Sequence, residues 1–173
     1  ENGQILSLSA TPYRGNATGK VYSLNSNKLI AEVERGTRPT ISKMANWVAF
    51  TQVPTLLEKE TTKKKSDLKN NLVLVNTQTG EQQSFNNVKD YVLANNGQWL
   101  AYRKNENAEE DDKKLDNDSA ITADKEDKSY PLVIINLSDK RTHTLESAFT
   151  YGISATSDQL LVSQSYVDGG NNQ

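Results

Sequence analysis

"NNGQWLAY", residues 95–102, sets an Asn-Gly turn signal directly before a Trp and a short alternating apolar run. Taken alone it reads as one hairpin, because Gly accepts positive φ and a half-buried strand alternates its faces. The chain laid against itself makes it one copy of a repeat. Asn2-Gly3-Gln4-Ile5-Leu6-Ser7 matches Asn96-Gly97-Gln98-Trp99-Leu100-Ala101, and Met44-Ala45-Asn46-Trp47-Val48-Ala49 and Ser157-Asp158-Gln159-Leu160-Leu161-Val162 follow the same pattern. A second apolar, β-branched run follows each of the first three copies: Val21 to Asn25, Leu72 to Asn76 and Leu132 to Asn136. Each ends in Asn before a polar turn, as a buried strand entering a hairpin does.

The spacings identify the architecture. Ile5, Trp47, Trp99 and Leu160 are separated by 42, 52 and 61 residues, so the period drifts. From each strand-ending Asn (25, 76, 136) to the next of these residues the interval is nearly fixed, at 22, 23 and 24. From Ile5, Trp47 and Trp99 to the Asn of the same copy it grows through 20, 29 and 37, so one connection takes all the insertions. A repeat of about 42 residues with four short strands and one tolerant loop is the signature of a β-propeller blade.

The fold class expected is therefore all-β: a partial propeller of about three four-stranded antiparallel blades with a short helical insertion. With strands lettered a to d from the centre, one blade reads as Asp90–Ala94, Trp99–Arg103, Leu132–Asn136 and Thr142–Glu146. Arg38–Ser42 opens the blade before it, and Gly80 of Thr77-Gln78-Thr79-Gly80 supplies the positive φ of that blade's c–d turn. As one domain over 1–173, the chain divides into strands b-c-d (4–36), a blade at 38–86, a blade at 89–146 and the start of another at 149–166. Trp47 and Trp99 are expected between adjacent blades. Three blades fall short of the four to eight that close a ring, so the open strand edges are expected to invite self-association.

Two insertions interrupt the b–c connections. Residues 53–70 contain "TLLEKETTKKKSDLK", in which Leu56, Leu57, Lys59, Glu60 and Lys63 to Lys65 favour a short charged helix. Residues 104–130 hold "NENAEEDDKKLDNDSAITADKEDK" (105–128), with ten carboxylates against four lysines, a composition that predicts a mobile loop. A calcium site there would use Asp116, Asp118 and Asp127, but Ala120 and Ile121 stand where an oxygen ligand and a turn Gly are needed. Glu109 and Glu110 could clamp a substrate amine.

Composition narrows the function. The chain of 173 residues is 35% hydrophobic and 24% charged, with a net charge of −2, which gives no reason to expect nucleic acid or an anionic membrane as partner. No apolar run approaches the roughly 18 residues of a membrane span, and no leader is legible ahead of Glu1, so a soluble chain is expected. It has no Cys and a single His, His143, on an expected outer strand, which excludes the usual zinc sites. Gly152-Ile153-Ser154-Ala155-Thr156 resembles half of a nucleophile elbow, but the final Gly is missing and a hairpin, not a helix, follows. Asn16-Ala17-Thr18 and Asn117-Asp118-Ser119 fit glycosylation acceptors, which matters only in a eukaryotic secretory setting. No catalytic, cofactor or metal residue is assigned, and the chain by itself is not expected to be an enzyme.

"NWVAFTQVP" (46–54), followed by "TLLEKETTKKKSDLKNNLVLVNTQTGEQQSFNNVKDYVLANNGQWLAY" (55–102), resembles the N-terminal β-propeller of bacterial prolyl oligopeptidase family serine peptidases. The likeness runs from about Gln4 to Tyr166. It rests on the Asn-Gly-x-Trp-Leu-Ala-Tyr strand, a Lys-rich insertion ahead of strand c, and an Asn-x-x-Thr-Gly hairpin before the next blade. The resemblance implies a propeller stacked on a C-terminal α/β-hydrolase domain, restricting its Ser-Asp-His triad to peptide substrates, in a periplasmic or secreted protein. No residue of that triad has a counterpart in these 173 positions. The alternative is a protein-binding propeller resembling the Tol-associated translocation protein, and a third reading is a calcium-organised adhesion domain.

Overall fold

The computed structural model describes residues 3–105, 129–156 and 159–164. Among them the chain forms twelve strands: β1 (Ile5–Ala10), β2 (Thr18–Ser23), β3 (Lys28–Glu34), β4 (Gly36–Ile41), β5 (Trp47–Gln52), β6 (Asn70–Asn76), β7 (Gln82–Leu93), β8 (Trp99–Lys104), β9 (Tyr130–Asn136), β10 (Thr142–Ala148), β11 (Thr150–Ile153) and β12 (Leu160–Ser163). All pairings are antiparallel between neighbours in sequence, giving sheets β1-β2-β3, β4 to β10 in order, and β11-β12. The protein is an all-β, propeller-type meander, as the repeat implies. The expected b, c and d strands at 99–103, 132–136 and 142–146 lie within β8, β9 and β10.

The seven-stranded sheet is two four-stranded sets sharing β7. Its first half pairs with β6 through Phe85↔Leu72 to Gln82↔Val75, and its second half pairs with β8 through Asp90↔Arg103 to Leu93↔Leu100. The partner changes at a bulge around Val88, where Asn87 has φ +58°. A bulge strengthens local twist, so one strand turns from the outer edge of one set to the inner edge of the next. β7 is one strand from Gln82 to Leu93. Arg35 does the same work between β3 and β4, with φ +59°. Val53 N–H donates to Arg35 O and Asn105 N–H to Asn87 O, at 3.1 and 2.9 Å, so the two junctions are built alike.

Strand alternation explains why the central strands read as continuous apolar runs. Val48, Phe50, Val73 and Val75 face one way and pack on Val21, Ala31 and Val33 of the first sheet. Their neighbours Ala49, Leu72 and Leu74 face the other way and pack on Leu100, Tyr102 and Val133. Ala101, Leu132 and Ile134 in turn meet Tyr151, Ile153, Leu160 and Val162. Both faces of β5, β6, β8 and β9 are therefore covered. Each large side chain so buried contributes about 1.5–3 kcal/mol. Trp47 packs at the second of these interfaces, and alternation puts the half-buried Trp99 on the face of Ala101.

Hydrogen-bond register corrects the repeat in two places. Leu24 N–H donates to Gln4 O as Thr77 N–H does to Asn46 O and Leu137 N–H to Gln98 O. Ser23, not Asn25, is thus the counterpart of Asn76 and Asn136. The Ser23 hydroxyl accepts from Ser26 N–H at 3.3 Å, as the Asn76 and Asn136 side chains accept from the backbone of their own turns. At the other end, Ile153↔Leu160 matches Leu93↔Leu100 and Ile41↔Val48, so Gln159 rather than Leu160 stands where the two Trp stand. Measured from Ser23 to Trp47, Asn76 to Trp99 and Asn136 to Gln159, the interval becomes 24, 23 and 23 residues.

The basic insertion forms the expected short helix, α1 (Leu56–Thr61), and a 3-10 turn at Lys65–Asp67. Thr55 and Glu58 make a capping box: Thr55 Oγ1 accepts from Glu58 N–H at 3.1 Å, and Glu58 Oε2 accepts from Thr55 N–H at 2.7 Å. The bond from Thr55 N–H, and then the bond that the Thr55 hydroxyl donates to the same Glu58 Oε2 at 2.8 Å, hold the Glu58 carboxyl below its usual range. Asn16 Oδ1 accepts from Leu56 N–H at 2.8 Å and ties α1 to the β1–β2 connection.

Candidate functional site

The d–a junctions and the b–c connections leave the sheets at one end, while the a–b and c–d turns occupy the other. At the junction end the innermost strands, β4 and the second half of β7, border an open cleft of ≈ 290 Å³ lined by residues including Arg38, Thr40, Asn70, Lys89 and Tyr91. Arg38 sits in the irregular stretch of β4 where the register shifts between Thr37 and Thr40, and its φ is +49°. Thr40 Oγ1 and Tyr91 Oη lie 3.3 Å apart, a hydrogen bond that spans the two strands. Pro39 removes one donor from the free edge of β4, which blunts it against unspecific strand addition.

Behind the cleft, Asp90, Arg103 and Tyr151 form a polar latch. Arg103 Nε donates to Asp90 Oδ1 and Oδ2 at 2.9 and 3.1 Å, and Nη2 donates to the same carboxylate. Arg103 Nη1 donates to Phe149 O, and Tyr151 Oη donates to Asp90 Oδ1 at 3.0 Å. The latch ties β7 and β8 to β11. The bonds to Asp90 raise the Arg103 guanidinium further above its ordinary value. Burial, and then the neighbouring Asp90 charge, push the Tyr151 phenol strongly up. Lys89 Nζ stands 3.1 Å from the centre of the Tyr130 ring, and Arg103 lies 5.5 Å from the rings of both Tyr130 and Tyr151.

These groups do not include the residues that the sequence drew attention to. His143 is exposed on β10. Ser154 lies in the β11–β12 turn, where its hydroxyl accepts from Gln159 N–H at 3.2 Å and sits 3.1 Å from the Thr156 hydroxyl. Asn16 is exposed, with its side-chain oxygen on Leu56 N–H. Asp116, Asp118, Asp127, Glu109, Glu110 and Asn117 lie outside the described residues. Among the described residues, no three His, Asp or Glu side chains group as metal ligands, and no helix is long and apolar enough to cross a membrane. Conversely, no local spacing announces the latch, since Asp90, Arg103 and Tyr151 come from three strands. What the cleft offers chemically is cationic charge with hydroxyl and amide hydrogen bonds.

No family model matches the chain, and neither does any curated protein. Among solved structures, an acylaminoacyl peptidase in complex with Z-Gly-Gly-Phe-chloromethyl ketone matches 97% of this chain at TM-score 0.54 and 12% identity. A prolyl endopeptidase structure matches 94% at 0.51 and 13%, and the tricorn protease matches 92% at 0.51 and 8%. The chain spans 27%, 25% and 14% of those three chains. Among its structural neighbours are β-propeller domains of prolyl oligopeptidase-family peptidases, all at low identity, and the propeller fold is the property shared.

Proposed function

We propose that this chain is the non-catalytic propeller portion of an extracytoplasmic prolyl oligopeptidase family serine peptidase. In that reading residues 1–173 are one partial propeller domain, with blades at 4–36, 38–86 and 89–146 and the start of another at 149–166. It packs on a C-terminal α/β-hydrolase domain and gates the access of peptides to it. The observation that supports this most is the match of almost the whole chain to the propeller-bearing part of an acylaminoacyl peptidase and a prolyl endopeptidase. The repeated stack of antiparallel sheets, open toward its inner strands, is consistent with a wall around a passage. Hydrolysis would then belong to residues outside this chain.

The coding frame around this segment tests the reading. A hydrolase domain with a Gly-x-Ser-x-Gly elbow and its Asp and His downstream is the expected result. A frame that ends after further blades would overturn it and leave a protein-binding propeller.

A further inference from the structure

The cleft between β4 and β7 has a feature that packing does not account for. Arg38 holds a left-handed backbone conformation, φ +49°, which favours Gly. Among the described residues its guanidinium has no hydrogen-bond or ion-pair partner, although every other long cation lining the cleft or its latch is committed. Lys89 is held over the Tyr130 ring, and Arg103 is spent on Asp90 and Phe149 O. Asp90, the one carboxylate among the described residues that line the cleft, is already saturated by Arg103 and Tyr151, so it does not cancel Arg38. Thr40 and Tyr91 add hydroxyls that are bonded to each other, and whichever accepts in that bond keeps its own proton to donate to a third group.

The geometry points to a carboxylate-binding site, with Arg38 as the residue that grips the ligand and Thr40 and Tyr91 as the hydroxyls beside it. A guanidinium presents a planar fork that matches a carboxylate in two parallel hydrogen bonds. The Lys89 ammonium, fixed by the Tyr130 ring, adds positive potential without competing for the same oxygens. At ≈ 290 Å³ the cleft stands at the lower end of small-molecule pockets. It fits a small organic acid or the last residues of an extended chain, and both present the same oxyanion. Nothing in this inference depends on the peptidase reading.

The test is an amide chemical-shift titration of the 173-residue chain with four probes: N-acetyl-Ala-Ala as the free acid, the same dipeptide as its amide, acetate, and inorganic phosphate. Saturable shifts at Arg38, Thr40 and Tyr91 with the free acid, weakened by salt and absent with the amide, are expected. Arg38→Gly removes the fork and also suits the left-handed backbone, so it should weaken binding roughly tenfold or more with no fall in Tm. Acetate binding as tightly as the peptide acid would keep the site and assign it to a small acid. Tighter binding of the peptide acid would assign it to a chain terminus. Equal shifts with the amide, preference for phosphate over both carboxylates, or unchanged binding in Arg38→Gly would each overturn the inference.

Discussion

The interfaces on either side of the seven-stranded sheet are closed by different physics. Toward the first sheet, Phe50 is fully buried among Val21, Val33, Val73 and Val75, and Gly19 leaves its ring room. A Cβ at Gly19 would stand 2.5 Å from Phe50 Cε1. Toward β11 and β12 there is again an apolar layer, but the charged Asp90–Arg103–Tyr151 latch crosses beside it. Apolar burial is strong and non-directional. A buried hydrogen-bond network is weaker in net terms but fixes orientation. The first interface sets how firmly the sheets adhere, and the second sets where β11 lies.

Substitutions that separate these roles should rank accordingly. Phe50→Ala should cost about 3–5 kcal/mol in urea unfolding, because it opens a cavity with no way to collapse against strands on both sides. Asp90→Asn should cost about 2 kcal/mol, below the value for a fully buried pair, because the Asp90 side chain is 38% exposed. A Phe50→Ala loss no larger than that of Asp90→Asn would erase the contrast. Gly19→Ala should cost about 1–3 kcal/mol by overpacking against the ring, and much less in a Phe50→Leu background.

The latch also has a pH signature. Because folding raises the Tyr151 phenol above its ordinary value, its contribution is complete below pH ~10 and is lost as the pH climbs toward the folded value. Tyr151→Phe should cost about 1 kcal/mol at neutral pH, and the fall in stability expected above pH ~10 should be flatter in this variant when unfolding is followed into the alkaline range. An unchanged alkaline slope in that variant would remove the phenol from the latch. The smallest expected effect is a gain. Lys140 holds the left-handed position, φ +61°, that Gly80 fills in the equivalent turn, so Lys140→Gly should stabilise by about 0.5–1 kcal/mol in thermal unfolding.

The strands that were easy to read in the sequence are those covered on both faces. LVLV (72–75) and LVII (132–135) stand out because neither face can be polar. β7 was harder, because most of its residues are polar and it changes partner midway, so Ser84 to Asp90 carries no single alternation. At the hairpin of the first repeat Asn25 imitates Asn76 and hides the true counterpart two residues earlier, because Ser23 makes the turn bond through a hydroxyl. In the fourth repeat the Trp position holds Gln159, which is exposed, and the apolar Leu160 beside it imitates the Trp one residue late. The cleft and its latch were not legible at all. Asp90 and Arg103 meet as a cross-strand pair of β7 and β8, whereas Arg38 and Tyr151 are distant from them in sequence and are brought to them only by the stacking of one set of strands on the next.

The proposal that this propeller restricts a peptidase is most directly tested by hydrolysis. The 173-residue chain and the full product of its coding frame would each be given a short unstructured peptide and the same sequence embedded in a folded protein. The account predicts cleavage of the short peptide alone, by the full product alone. Hydrolysis by the 173-residue chain, or equal cleavage of the folded substrate by the full product, would contradict it.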